Sequence, residues 1–167
     1  MEVSPDGQDG ADFDDLFRTT FEPMVRSLGL ACGDREAAAD AVQDAFTRAF
    51  ARWRRISRYD DPAGWIRHVA LNRLRDHFRR VERGRRAVDR LAGRADVSSD
   101  EPQPPPDDVM TSSVAQLPRQ QRIAVSLFYV EQLSVHEVAE AMGLSEGAVK
   151  YHLHAGRERL RDLVGAS

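Results

Sequence analysis

Apolar residues recur every three or four positions along most of the chain, and nowhere in the alternating pattern of a strand. Phe13, Leu16, Phe17, Phe21, Met24, Val25 and Leu28 mark a first helical run, which Pro23 is expected to break or kink. Gly33-Asp34 stops that run and caps the next, where Ala38, Val42, Ala45, Phe46, Ala49, Phe50 and Trp53 form a buried stripe over residues 35–54. Asp61-Pro62 is another start, an acceptor cap with proline at the first helical position. Trp65, Ile66, Val69, Ala70, Leu74, Phe78 and Val81 then give an inward face over residues 62–83. Farther on, Pro118 opens a helix carrying Ile123, Ala124, Leu127 and Phe128, and Ser134-Val-His-Glu137 is a capping box before Val138, Ala139 and Met142. Gly143 ends that helix, Ser145 caps the last, and Val149, Leu153, Leu160 and Leu163 line it. The pattern predicts an all-α fold.

Residues 95–108 interrupt this pattern with Asp96, Asp100, Glu101, Asp107 and Asp108 and with Pro102, Pro104, Pro105 and Pro106. Such a stretch buries nothing and reads as an acidic, proline-rich linker. The 167 residues therefore divide into an acidic disordered tail (1–12), a helical domain (13–86), the linker (87–112) and a second helical domain (113–167). No apolar run approaches the roughly 20 residues that a membrane helix needs, and Met1 to Asp15 lacks the basic and apolar regions of a signal peptide. No membrane insertion is expected, and the location expected is cytoplasmic. Cys32 is the single cysteine; it has no internal partner, and a half-buried core thiol is the expectation.

Net charge is −3, yet the charges are segregated. The first fifteen residues carry acids and no basic residue, whereas Arg48 to Arg94 carries fifteen arginines against five acids. The middle is built to meet a polyanion. On the third helix Arg67, Arg73, Arg75, Arg79, Arg80 and Arg83 meet only Asp76 and Glu82. A solvated face is the plainer reading, but one-sided charge suits phosphates better than helix pairing. Asn72 and Asp76 stand four apart, one patch for base edges, and Tyr59 and Trp65 flank the preceding loop as stacking surfaces. The segment Ser134 to Leu160 reads as a helix-turn-helix whose second helix turns Lys150, Tyr151, His154 and Arg157 outward. His152 and His154, two apart on a helix, point in different directions and make no metal pair. With no metalloprotease, paired-cysteine, phosphate-loop or Ser/His/Asp signature, neither enzyme activity nor a cofactor is expected.

Several segments together resemble a known family: Asp40-Ala-Val-Gln-Asp-Ala-Phe46, Trp65-Ile-Arg-His-Val-Ala-Leu-Asn72, Asp76-His-Phe-Arg-Arg80, Leu117-Pro118 and Leu133-Ser-Val-His-Glu-Val-Ala-Glu-Ala-Met-Gly143. Their order and spacing are similar to those of the sigma-70 family of bacterial transcription initiation factors, extracytoplasmic-function group. The resemblance implies a sigma-2 domain, then a sigma-4 domain with the helix-turn-helix. It implies core RNA polymerase as partner, through the beta' clamp helices and the beta flap, with Asp40, Gln43, Asp44 and Arg48 on the gripping face. It also implies promoter DNA. Tyr59, Arg67, Asn72, Arg73, Asp76, Arg79 and Arg80 match the reader of the melted minus-10 element, and Lys150, Tyr151, His154 and Arg157 that of the minus-35 element. An anti-sigma factor is implied as a further partner.

Two departures stand out. Ala148 occupies a position where the family commonly has threonine, and Ala155 one where arginine is common. Gly156 costs a helix about 1 kcal/mol relative to alanine, which suggests close packing there. The same helix-turn-helix also resembles that of LuxR-type regulators, the alternative reading, which requires a dimer helix or sensor domain in place of the first unit.

Overall fold

A computed structural model describes residues 5–93 and 109–166. Eight helices follow one another among the described residues: α1 (Pro5–Cys32), α2 (Arg35–Ala51), α3 (Trp53–Ile56), α4 (Pro62–Ala92), α5 (Val109–Ala115), α6 (Arg119–Tyr129), α7 (Val135–Met142) and α8 (Glu146–Gly165). There is no strand among them.

The caps lie where the sequence puts them. The Asp34 carboxylate accepts from the Ala37 amide at 2.9 Å, and Gly33 takes the left-handed φ of +74° that the chain reversal requires. Asp61 accepts from the Gly64 amide at 2.9 Å ahead of Pro62. The Ser134–Glu137 box closes in both directions, at 3.1 and 2.7 Å, and Ser145 accepts from Ala148 at 3.1 Å. Each such cap satisfies an amide that has no partner within its helix.

α1 is the spine: it packs on α2, α4, α5 and α6. Pro23 does not break it. Leu16 and Phe21 before the proline and Met24, Val25 and Leu28 after it pack against one core, so lateral packing outweighs the one backbone hydrogen bond lost. The helix also starts at Pro5, within the stretch expected to be a disordered tail. Phe13 explains why: its ring meets Phe46, Phe50 and Trp53 at centroid distances of 6.0, 5.2 and 5.2 Å, and the Trp53 indole N–H donates to the Asp9 carbonyl at 2.6 Å.

Three further expectations change. Phe50 is 67% exposed although it falls on the apolar stripe, and Val81 is exposed as well. α4 runs nine residues past the predicted end at residue 83, because Arg-rich sequence with a Glu82–Arg86 pair continues a helix without needing a buried side; Gly93 in the left-handed region ends it. The helical stretches 87–92 and 109–112 therefore replace both ends of the expected linker, while 94–108 lies outside the described residues. The two helical units also do not keep separate cores. Met24, Leu28, Ile66 and Leu74 join Ile123, Leu127, Val138 and Val149 in one continuous cluster. Cys32 is half-buried as expected, and burial pushes its thiol pKa up to about 11.

Gly156 is buried where α8 crosses α6. A Cβ there would stand 2.9 Å from Val125 Cγ2, whereas one at Gly84 would meet nothing within 4 Å. Gly156→Ala is therefore expected to lower stability, since an overpacking cost of about 1–3 kcal/mol exceeds the helix-propensity gain. Gly84→Ala should raise stability by up to about 1 kcal/mol. Urea denaturation of the two variants checks both signs.

Candidate nucleic-acid interface

α7, the turn Gly143-Leu144-Ser145 and α8 form the expected helix-turn-helix. The turn closes through the Leu144 amide on the Ala139 carbonyl at 3.0 Å, and Ala139 is small and buried at the crossing. Because Val149, Leu153 and Gly156 take the inner side of α8, the helical period leaves Lys150, Tyr151, His154 and Arg157 exposed, Tyr151 by 66%. Arg157 Nη1 donates to the Tyr129 hydroxyl at 3.2 Å, which steadies one end of this face from α6.

On α2, Asp40, Gln43 and Arg48 are exposed, opposite the buried Ala38, Val42 and Ala45. Asp44 is different. Its Oδ2 lies 2.9 Å from Arg48 Nε and 3.3 Å from Arg73 Nη1, so it ties α2 to α4. The two groups of candidates that contain Asp44 and Arg73 thus meet in one ion-pair cluster.

α4 divides its polar residues among distinct tasks. Asn72, Asp76, Arg79 and Arg80 are exposed, and Asp76, Arg79, Arg80, Arg83 and Arg86 line a shallow basin. Tyr59 is 36% exposed and Trp65 partly buried, at the loop before α4. His68 Nδ1 is 3.2 Å from the Ala141 carbonyl and Nε2 is 3.0 Å from the Asn72 side-chain nitrogen. A carbonyl can only accept, so Nδ1 carries the proton and Nε2 accepts from the Asn72 amide. Arg75 donates to the Met142 carbonyl at 3.3 Å. Two side chains of α4 therefore cap the C-terminal, electronegative end of α7.

Arg67 is the clear correction. Expected on the arginine-rich outer face, it is 4% exposed, and its Nε donates to Glu131 Oε1 at 2.8 Å, with the two side chains only 5% and 4% exposed. The fully buried Ser27 donates its hydroxyl to the other oxygen, Glu131 Oε2, at 2.8 Å. In this arrangement Arg67 faces no solvent and no phosphate. Glu131 and Ser27 belong to no motif; the signal available is that each is a polar residue set among apolar ones, Ser27 between Met24 and Leu28 and Glu131 between Leu127 and Leu133. Next to Glu131, Gln132 holds a φ of 58°, a left-handed conformation that costs a non-glycine residue about 1–2 kcal/mol.

Among the described residues no cluster of His, Cys, Asp and Glu has the arrangement of a metal site, and no helix is long and apolar enough to cross a membrane.

Comparison with known proteins gives two family matches in this order: Sigma-70 region 2 over residues 22–84 and Sigma-70, region 4 over residues 108–160. The chain is 30% identical over 174 residues to the RNA polymerase sigma factor CarQ of Myxococcus xanthus, covering 99% of this chain and 95% of that one. It is 29% identical over 164 residues to the extracytoplasmic-function sigma factor SigE of Mycolicibacterium smegmatis, covering 91% of this chain and 61% of that longer protein. In fold it is similar to the sigma factor RpoE of Bartonella quintana, solved in complex with the anti-sigma factor NepR, with a TM-score of 0.69, 20% identity, and coverage of 92% of this chain and 97% of that one.

His136 of α7 reaches Glu146 of α8 at 3.0 Å and Glu140 of its own helix at 3.2 Å, and the hydrogen bond to Glu146, then the charge of Glu140, raise its pKa. A raised folded-state pKa means that the cross-tie is fully present below the ordinary histidine value of about 6.5 and is lost as pH rises through the folded value. An NMR titration is expected to place the His136 midpoint above that of the same residue in the urea-unfolded chain, and Glu146→Gln should bring it down.

Proposed function

The chain belongs to the extracytoplasmic-function group of the sigma-70 family, and from that premise we propose which of its surfaces carry out the work of a transcription initiation factor. The match of residues 22–84 to region 2 leaves no support for a LuxR-type regulator, which would need another kind of domain there. The observation that carries the proposal is the exposure of Lys150, Tyr151, His154 and Arg157 together on a helix-turn-helix whose inner side is fully packed.

In this reading the exposed side of α2, with Asp40, Gln43 and Arg48, docks on the beta' clamp helices of core polymerase, and Asp44 shapes that side by holding Arg48 and Arg73. The second unit meets the beta flap. Asn72 and Asp76 read bases of the minus-10 element once the strands part, Arg73, Arg79 and Arg80 hold the backbone, and Tyr59 stacks on an unpaired base. Lys150, Tyr151 and His154 read the minus-35 element in the major groove, where a lysine can donate to guanine O6 or N7. Arg157, held by Tyr129, takes a phosphate. An anti-sigma factor completes the set of partners. A groove of about 300 Å³ between α1, α4 and α6 has Leu28, Leu74, Phe78 and Ile123 among its lining and Arg75, Arg85, Arg119 and Arg122 around them, which suits an acidic amphipathic segment.

Two measurements test this. Asp40→Arg reverses charge at an exposed position that makes no ion pair with α4, and it should weaken binding to core polymerase about tenfold or more, roughly 1.4 kcal/mol, with helical content unchanged; full affinity would move the docking face elsewhere. In a promoter library selected with each mutant holoenzyme, Lys150→Ala should relax preference at one minus-35 base pair at a cost of about 1–3 kcal/mol, whereas Arg157→Ala should weaken all sequences alike. The opposite result would exchange the two roles.

A further inference from the structure

We propose that Glu146, the first residue of α8, is a further specificity-determining side chain, accepting from the exocyclic amine of a cytosine in the minus-35 element, and that His136 of α7 positions it. The inference rests on the reading of α8 as the recognition helix and adds an acidic contact to its basic and aromatic set.

A helix-turn-helix presents the first residues of its second helix to the base edges. In α8 that first turn is nearly bare. The Ser145 hydroxyl is taken by the Ala148 amide, Gly147 has no side chain, and a Cβ added there would meet only Ser145 Oγ, at 3.9 Å. Ala148 is short as well, in a position where the sigma-70 family commonly has threonine. Glu146 is exposed and is the one side chain of the turn long enough to reach across to a base. Counted around the helix, residues 146, 150 and 157 fall on one side, so Glu146 shares the face of Lys150 and Arg157.

A glutamate four residues before a lysine on an open helix surface pairs with it. Here His136 takes the glutamate instead. Its Nδ1 is 3.0 Å from Glu146 Oε1 and its Nε2 is 3.2 Å from Glu140 Oε1. Carboxylates only accept, so both ring nitrogens donate and the ring is the imidazolium, which the neighbouring Glu146, Glu140 and Glu137 favour. Three consequences follow from this cross-tie. Glu146 Oε2 is left without a hydrogen bond among the described residues, Lys150 is left unpaired there, and the imidazolium offsets a carboxylate that the phosphates lining a groove would otherwise repel.

The chemistry of the groove then selects the base. Guanine N7 and O6 and thymine O4 are acceptors and repel a carboxylate, and adenine sets its N7 acceptor beside N6, whereas cytosine N4 is a donor without that neighbour. Four residues of helix rise about 6 Å, less than two base-pair steps of ~3.4 Å. The G·C pair read by Glu146 therefore lies within two pairs of the one read by Lys150.

The test is a promoter library selected with core polymerase carrying each full-length variant. Glu146→Ala should reduce the preference for cytosine at one pair about fivefold or more, without weakening binding to DNA that lacks the element, because no phosphate contact is lost. Glu146→Gln, whose amide can meet adenine N6 and N7 together, should turn the preference at that same pair from cytosine to adenine. His136→Leu should blur the preference with helical content unchanged, and His136→Gln, which still donates to Glu146, should keep it. An unchanged profile in Glu146→Ala overturns the base contact, and an equally sharp profile in His136→Leu overturns the positioning role. Should Glu146→Ala fold poorly, Glu146→Gln decides alone, by adenine in place of cytosine or by no change. Lys150→Ala separates this inference from the reading beneath it: if that variant also leaves the profile intact, α8 is not the reader and both fall, whereas if it relaxes its own pair and Glu146→Ala relaxes none, only the Glu146 contact falls.

Discussion

Moving a guanidinium or a carboxylate out of water costs several kcal/mol, recovered only where the partner geometry is complete. Arg67 of α4 and Glu131 of the α6–α7 loop satisfy that condition in one arrangement, with Ser27 of α1 supplying the remaining donor. Glu131 thereby brings Arg67, 64 residues away, and Ser27, 104 residues away, to a single register. The surface follows from that register. With Arg67 turned inward, α7 lies along α4 and its terminal carbonyls fall to His68 and Arg75, and Asn72 is drawn toward His68. Asp76, Arg79 and Arg80, farther along the helix, stay open to solvent.

The same economy of faces explains how a chain of net charge −3 presents basic surfaces. Its acids are spent on structure: Asp34 and Asp61 cap helices, Asp44 neutralises Arg48 and Arg73, Glu137 closes a capping box, and Glu131 takes Arg67. Many of the remaining arginines of α4 face outward with few counterions, an arrangement that repels itself in water and is relieved by a phosphate backbone. α1 is a common spine on which α2 and α6 pack extensively, while α4 packs chiefly on α2 and α7.

Much of this was legible in the residues. Capping positions and the helix-turn-helix depend on neighbours within four residues, and Asp34, Asp61, Ser134 and Ser145 act where their types and spacing say they should. The outward set on α8 is equally local, since the helical period that buries Val149 and Leu153 also exposes Lys150, Tyr151 and His154. Length was less legible. The last turns of α4 bury little, with Leu91 90% exposed, so no periodic stripe marks them. The start of α1 is held by ring contacts from α2 and α3 that a linear pattern does not contain.

Sequence by itself thus determined the helices, their caps, the outward face of α8 and the family, because each is written in short-range spacing. The fate of individual polar and aromatic side chains belonged to the tertiary structure. Arg67 and Arg73 look alike along α4, yet one is sealed against Glu131 and the other lies at the surface beside Asp44. Phe46 and Phe50 share a helical stripe, yet one is buried and the other 67% exposed. Helical periodicity specifies a direction around an axis but not what stands in that direction, and only the packing of distant segments supplies it.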